Sequence, residues 1–323
     1  MPEILDLPNR AKNPNLRFVK KTRLLFLGLV ACCQSAEAVV IATGGPNNTA
    51  LGGPQNFNNV GTLNGASAIY LTNGWVLTAN HVSSSLPASV NFGGTSYATQ
   101  AGSFHRLTNS GPLSTFTDIV LFRLSAPPAL PGVTISNSTP TVASQVTMIG
   151  NGRTQQSTPT YWNRTVVAGN SNDTWVETTE PLSNISGFRT TATNEVRWGL
   201  NAVDANNFYI NVGSVLAPVD VVSFSTQFDS GISQEAQAVV GDSGGAVFSN
   251  NAGSWELSGM MFAVSTYETQ PGGAETAVFG VQTAIADLSY YRAEILTIIP
   301  EPSACALALL GASTLLLRRR SRV

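Results

Sequence analysis

Residues 66–82, "ASAIYLTNGWVLTANHV", decide how the rest of the chain is read. Two apolar runs, Ala66–Leu71 and Trp75–Thr78, flank Thr72-Asn73-Gly74. Asn-Gly tolerates the positive φ angles that a tight hairpin turn needs, so the spacing predicts two antiparallel strands joined there. The runs are short and rich in Ile, Tyr, Trp and Val, which suits strands rather than helices. The second strand ends in Asn80-His81, which puts a histidine just past an apolar run.

The same texture continues outward. Val90–Phe92, Tyr97–Ala101, Ile119–Leu124 and Val146–Gly150 are further short runs between turn residues, and Pro127–Pro131 is a rigid break. The second half offers Thr160–Gly169, Asn194–Trp198, Phe208–Val212, Val221–Gln227, Gly245–Phe248, Trp255–Val264 and Ala277–Gln282. Short strands at turn-punctuated spacing predict an all-β sandwich or barrel. One helix is expected, over Asp287–Ile299, with Leu288, Tyr291, Ile295 and Ile299 on one face and Asp287 as N-cap. Residues 39–60 are rich in Gly, Pro and Asn and predict an irregular lead-in. The chain is 43% hydrophobic and only 11% charged, well under the roughly 25% charged residues of an average soluble domain.

The two ends differ from the middle. Six basic residues precede Leu24–Cys33, "LLFLGLVACC", and Ala36-Glu37-Ala38 follows. A basic region, a short apolar run and an A-x-A site predict a secretory leader cut after Ala38. Leu29-Val30-Ala31-Cys32 also resembles a lipoprotein box with Cys32 as the modified residue. At the other end, Pro300-Glu301-Pro302 leads into the apolar stretch Ala304–Leu317 and then Arg318, Arg319, Arg320 and Arg322. This layout resembles the PEP-CTERM sorting signal of Gram-negative bacteria. The resemblance implies export, transient membrane insertion and processing by an exosortase as well as a signal peptidase. The alternative is a plain C-terminal anchor, and either reading puts the body outside the cytoplasm, at the cell surface or in the extracellular matrix.

The cysteines, Cys32, Cys33 and Cys305, all lie in these end segments, so residues 39–300 can form neither a disulfide framework nor a thiolate zinc site. Ten of the seventeen Lys and Arg residues also lie at the ends, with four of the nineteen Asp and Glu, which leaves the body seven basic against fifteen acidic side chains. An acidic surface repels nucleic acid. No phosphate-binding glycine loop, metal-spaced histidine pair or cofactor motif is present, and none is expected.

A hydroxyl is a weak nucleophile at neutral pH until an imidazole takes its proton, and a carboxylate on the far ring nitrogen fixes the tautomer. The sequence has two histidines, His81 and His105. His105 reads as a surface-loop residue. Asp118 opens the apolar run of "TDIVLFRL", and Ser243 sits in "VVGDSGGAVF", residues 239–248. "WVLTANHV", "TDIVLFRL" and "GDSGGAVF", in that order, resemble the chymotrypsin/trypsin-like serine proteases over about residues 65–299. The resemblance implies two six-stranded antiparallel Greek-key barrels with a C-terminal helix. It implies His81 as general base, Asp118 as its orienting carboxylate and Ser243 as nucleophile. It implies the amides of Gly241 and Ser243 as oxyanion hole and Asp242 as a structural acid. It implies Gln237 at the base of a specificity pocket, with Val264 and Gly280 at its sides. None of those three is acidic, which argues against strict Arg or Lys cleavage and for small or medium apolar side chains.

Departures accompany the match. Val82 and Ala246 stand where the family often has cysteine and proline, and residues 154–199 read as inserted loops. No Ile-Val-Gly-Gly sequence is present, but a cut after Ala38 exposes Val39-Val40, whose amine is available to pair with Asp242 as the family's freed terminus does. The organisation expected is a leader (1–38), an irregular arm (39–64), an N-terminal barrel carrying His and Asp (65–150), a C-terminal barrel carrying Ser and ending in the helix (151–299), and the sorting segment (300–323). The function expected is a secreted serine endopeptidase. The alternative is a non-catalytic surface or matrix protein built on the same fold.

Overall fold

The computed structural model describes residues 39–43, 47, 56–167 and 172–299, so the expected leader and sorting segment lie outside the described residues. Among the described residues no helix is long and apolar enough to cross a membrane.

A two-residue strand, β1 (Val40–Ile41), comes first. The first body follows as β2 (Val60–Leu63), β3 (Ala66–Thr72), β4 (Trp75–Ala79), β5 (Ser89–Phe92), β6 (Thr95–Ala98), β7 (His105–Thr108) and β8 (Phe116–Arg123). They form one antiparallel sheet in the order β6-β5-β2-β3-β4-β8-β7. An antiparallel bridge, Thr99 to Leu124, brings the β6 end round to β8. The sheet has seven strands where six were expected. The β3–β4 turn carries the anticipated positive φ at Asn73 (51°) and Gly74 (87°). Both faces of the hairpin are covered, which explains why it reads as nearly unbroken apolar sequence. Tyr70, Val76, Phe92 and Phe122 fill the interior of this body. Ile69, Leu77, Ile119 and Leu121 face the second body and the helix.

The second body is a closed six-stranded barrel, ordered β14-β15-β20-β18-β17-β9. Its strands are β9 (Gln145–Gly150), β14 (Arg197–Asn211), β15 (Asp220–Gln227), β17 (Ala246–Asn251), β18 (Ser254–Val264) and β20 (Gln282–Asp287). Met148, Val203, Phe224, Val247, Met261 and Ile285 fill it. The outward faces of Ile149, Phe248 and Met260 join the cluster shared with the first body.

The helix α1 (Leu288–Ile298) is capped by Asp287, which accepts the Ser289 amide at 2.9 Å. Leu288, Tyr291 and Ile295 are buried against the shared cluster, each contributing about 1.5–3 kcal/mol by removal from water. The Tyr291 hydroxyl donates to Asn109 Oδ1 (2.8 Å) and accepts the Val222 amide (3.0 Å), so one side chain ties the helix to both bodies.

Two sequence expectations are corrected. Residues 39–64 are not uniformly irregular: β1 pairs with β16 (Ala236–Gln237), and β2 is a central strand of the first sheet. Residues 154–199 are not merely loops. They build most of a third sheet from β10 (Arg153–Gln155), β11 (Thr160–Thr165), β12 (Thr174–Thr178) and β13 (Ile185–Asn194). The order is β10-β13-β11-β12, with β19 (Thr276–Val278) also paired to β13.

Candidate active site

The β4–β8 register sets Ala79 opposite Ile119, so Asn80 and His81 leave β4 directly beside Asp118. The Asn80 amide donates to Asp118 O at 3.0 Å. The Asp118 carboxylate then holds His81 twice: Oδ1 accepts the backbone N–H at 2.9 Å and Oδ2 lies 2.6 Å from ring Nδ1. Asp118 is buried, whereas the His81 side chain is 48% exposed. A buried carboxylate on Nδ1 selects the Nδ1–H tautomer and leaves Nε2 as the basic nitrogen on the open side.

Ser243 belongs to the other body, in the turn before β17. Its carbonyl accepts the Ser67 amide at 3.0 Å. The Ser67 hydroxyl donates to Gly241 O (3.0 Å) and accepts the Asn151 amide (2.8 Å), and Thr78 Oγ1 donates to Ser67 O (2.7 Å). Ser67 and Thr78, on the strands that deliver His81, therefore also seat the serine turn. Gly244 has φ +84°, and a Cβ there would lie 2.1 Å from Ser67 O and 2.4 Å from Thr78 Oγ1. No larger residue fits that contact.

The amides of the turn divide into two groups. Those of Asp242, Gly244 and Gly245 donate to Val239 O (3.1 Å), Met261 O (2.8 Å) and Asp242 O (2.8 Å). Among the described residues no acceptor faces the amides of Gly241 or Ser243. Two unspent donors beside a half-buried serine can receive a developing negative charge.

Asp242 is wholly buried. Its Oδ1 accepts the Gly152 amide (2.9 Å) and Oδ2 the Val239 amide (2.8 Å), and the Val39 amide is a third donor. Burial pushes its carboxyl from 3.8 up to about 8, with these three hydrogen bonds only partly opposing. Val39 itself is fully buried.

Gln237 is buried on β16; its Nε2 donates to Ala238 O (3.1 Å) while Oε1 has no partner. Thr283 links this segment to Val264: it pairs with Val264 along the strands, and its hydroxyl accepts the Ala238 amide at 3.1 Å. Gly280 lies against Tyr267, whose hydroxyl sits 2.3 Å from where a Cβ would be. His105 is on β7 rather than in a loop, exposed and 5.7 Å from the Trp75 ring. Sequence reasoning missed Ser67 and Thr78, which read as ordinary strand residues, and Tyr267, whose part depends on the inserted sheet.

Residues 44–192 match the family model described as Trypsin, a span that includes His81 and Asp118 and ends before Ser243. Among solved structures, the chain is similar to the Rv3671c protease of M. tuberculosis. An inactive form with its serine mutated to alanine gives a TM-score of 0.45 at 13% identity, over 82% of this chain and 100% of that one. The active form gives 0.41 at 14% identity, over 85% and 96%. No curated protein matches. The two-body β fold and the match over residues 44–192, a little under half of the chain, make the chain similar to the trypsin-like serine peptidases.

Proposed function

We propose that the chain is an exported serine endopeptidase that cleaves peptide bonds through an acyl-enzyme on Ser243. The observation that carries the reading is the double hold of Asp118 on His81, at 2.6 and 2.9 Å. In the first step Ser243 Oγ attacks the scissile carbonyl carbon while His81 Nε2 takes the hydroxyl proton. Asp118 keeps Nδ1–H in place and stabilises the imidazolium without taking the proton. The carbonyl oxygen becomes an oxyanion, received by the amides of Gly241 and Ser243. Collapse breaks the C–N bond, and His81 returns its proton to the leaving amine. Water then attacks the ester with His81 again as base, which releases the acid and restores Ser243.

Maturation follows from the same reading. A signal peptidase removes residues 1–38 and turns the Val39 amide nitrogen into an ammonium. That cation, placed where Asp242 accepts from Val39, compensates the buried carboxylate and fixes the turn that bears Ser243. Residues 300–323 direct the exported body to an exosortase at the cell surface. Gln237, Val264 and Gly280 line the pocket for the substrate side chain.

A fluorophosphonate probe tests the chemistry on the processed protein. Labelling is expected in the parent, lost in Ser243→Ala and strongly reduced in Asp118→Asn. Absence of labelling in folded protein beginning at Val39 refutes the reading and leaves a non-catalytic surface protein.

A further inference from the structure

The third sheet belongs to neither barrel, yet it touches the segments that flank the Ser243 turn. Its strand β13 pairs with β19 through Gly187–Val278, Phe188–Ala277 and Arg189–Thr276. A Cβ on Gly187 would lie 2.1 Å from Ala277 O, so this contact is backbone against backbone. Beside it Arg153 forms an ion pair with Glu275 at 2.6 Å. On the N-terminal side, Gln155 exchanges two hydrogen bonds with Ile41 (2.5 and 2.7 Å), and the Arg153 amide donates to Val240 O at 3.2 Å, one residue before Gly241.

The β11–β12 hairpin makes the contact with most consequence. Arg164 and Asp173 are both buried, and Arg164 donates Nε and Nη2 to Asp173 Oδ2 at 2.8 and 2.5 Å. Burying such a pair adds little net stability, because desolvation offsets the attraction. What the pair fixes is a position: the guanidinium carbon stands 4.3 Å from the centre of the Tyr267 ring, within the range of a cation–π contact. Trp175 covers the same ring at 6.0 Å. The Tyr267 hydroxyl donates to Phe279 O at 3.1 Å and occupies the space beside Gly280. Burial raises this hydroxyl's pKa above 10.0, so it remains a protonated donor.

We propose that the inserted sheet is a specificity clamp, in which Arg164, fixed by Asp173, positions Tyr267 against Gly280. The clamp narrows the pocket for the side chain on the acyl side of the scissile bond and favours small apolar groups such as alanine. The inference rests on the peptidase reading above. Arg164 and Tyr267 are positioning residues; neither touches a reacting atom.

The test compares peptide substrates ending in Ala, Val or Phe at the cleaved bond with the rate of fluorophosphonate labelling, all on the processed chain. The double variant Arg164→Met/Asp173→Leu removes the pair without leaving one buried charge alone. Tyr267→Ala opens the space beside Gly280 directly and supports the test if the double variant folds poorly. Both are expected to label at a rate comparable to the parent, while the Phe-to-Ala ratio of kcat/KM rises by about tenfold or more through KM, the scale of a pocket gaining or losing apolar contacts. An unchanged ratio in Tyr267→Ala, or an equal fall on every substrate and on labelling, overturns the clamp. Failure of the parent itself to label overturns the peptidase reading instead, and is recognised because it needs no variant.

Discussion

Asp242 gives the sharpest quantitative expectation. In a chain that still carries Ala38, Val39 contributes only an amide, and the buried carboxyl has three neutral donors and a pKa near 8 in place of 3.8. The folded state then holds a proton that the unfolded state releases, so stability is present below pH 3.8 and is lost as pH rises towards 8. At about 1.4 kcal/mol per pH unit, roughly 4 kcal/mol is gone by pH 7. A chain beginning at Val39 places an ammonium in the same slot. A unit charge pair about 4 Å apart at an effective dielectric constant near 20 is worth about 4 kcal/mol, enough to cancel the loss. The assay is urea unfolding of the two forms between pH 5 and pH 8. The extended form should lose stability steeply across that range and the processed form far less, and Asp242→Asn should flatten the extended form. Parallel pH profiles for both forms would refute the argument that Val39 is the counter-charge.

Two substitutions at the seam between the bodies follow from geometry. Gly244→Ala combines a φ of +84° with a Cβ 2.1 Å from Ser67 O. It should cost about 3 kcal/mol or more from strain and overpacking, and probe labelling should fall further than the melting temperature implies. Ser67→Ala deprives the Asn151 amide and Gly241 carbonyl of their shared hydroxyl. It should cost about 1–3 kcal/mol by denaturant unfolding, and a loss under 0.5 kcal/mol would show that the seam does not depend on it.

Where the chain announces itself, it does so through local rules. The β3–β4 hairpin is legible because Asn73-Gly74 and the apolar runs agree, and α1 because its apolar spacing and the Asp287 cap agree. β1 is invisible beforehand: two residues carry no periodicity, and its partner Ala236–Gln237 is almost two hundred residues away. β2 is interrupted by Gly61, which is required because a Cβ there would lie 2.2 Å from Asn91 O. In the third sheet, β11 and β19 overlap the expected strands Thr160–Gly169 and Ala277–Gln282, whereas β12 and β13 are hidden for another reason. β12 and β13 are polar on much of both faces, so no alternation marks them, and their order is set by non-local pairing with β19. At the site, the residue types of His81, Asp118 and Ser243 could be read from sequence, whereas the hydroxyls of Ser67 and Thr78 that seat the turn could not. Nothing local distinguishes them from any strand serine or threonine.

The side chains proposed to carry the reaction are divided between the two bodies. His81, just past β4, and Asp118, on β8, belong to the first, Ser243 and its amides to the second, and the connecting stretch is exposed at Ser125–Pro127 and Pro131–Gly132. Neither half owns a complete set, so on the proposed mechanism the reaction is a property of their junction rather than of either fold. On that mechanism a displacement of about an ångström across the junction would cost about a hundredfold in rate. On the proposed mechanism the molecule would act as a coincidence detector for its own assembly, cutting only when the two bodies that share one apolar cluster are in register.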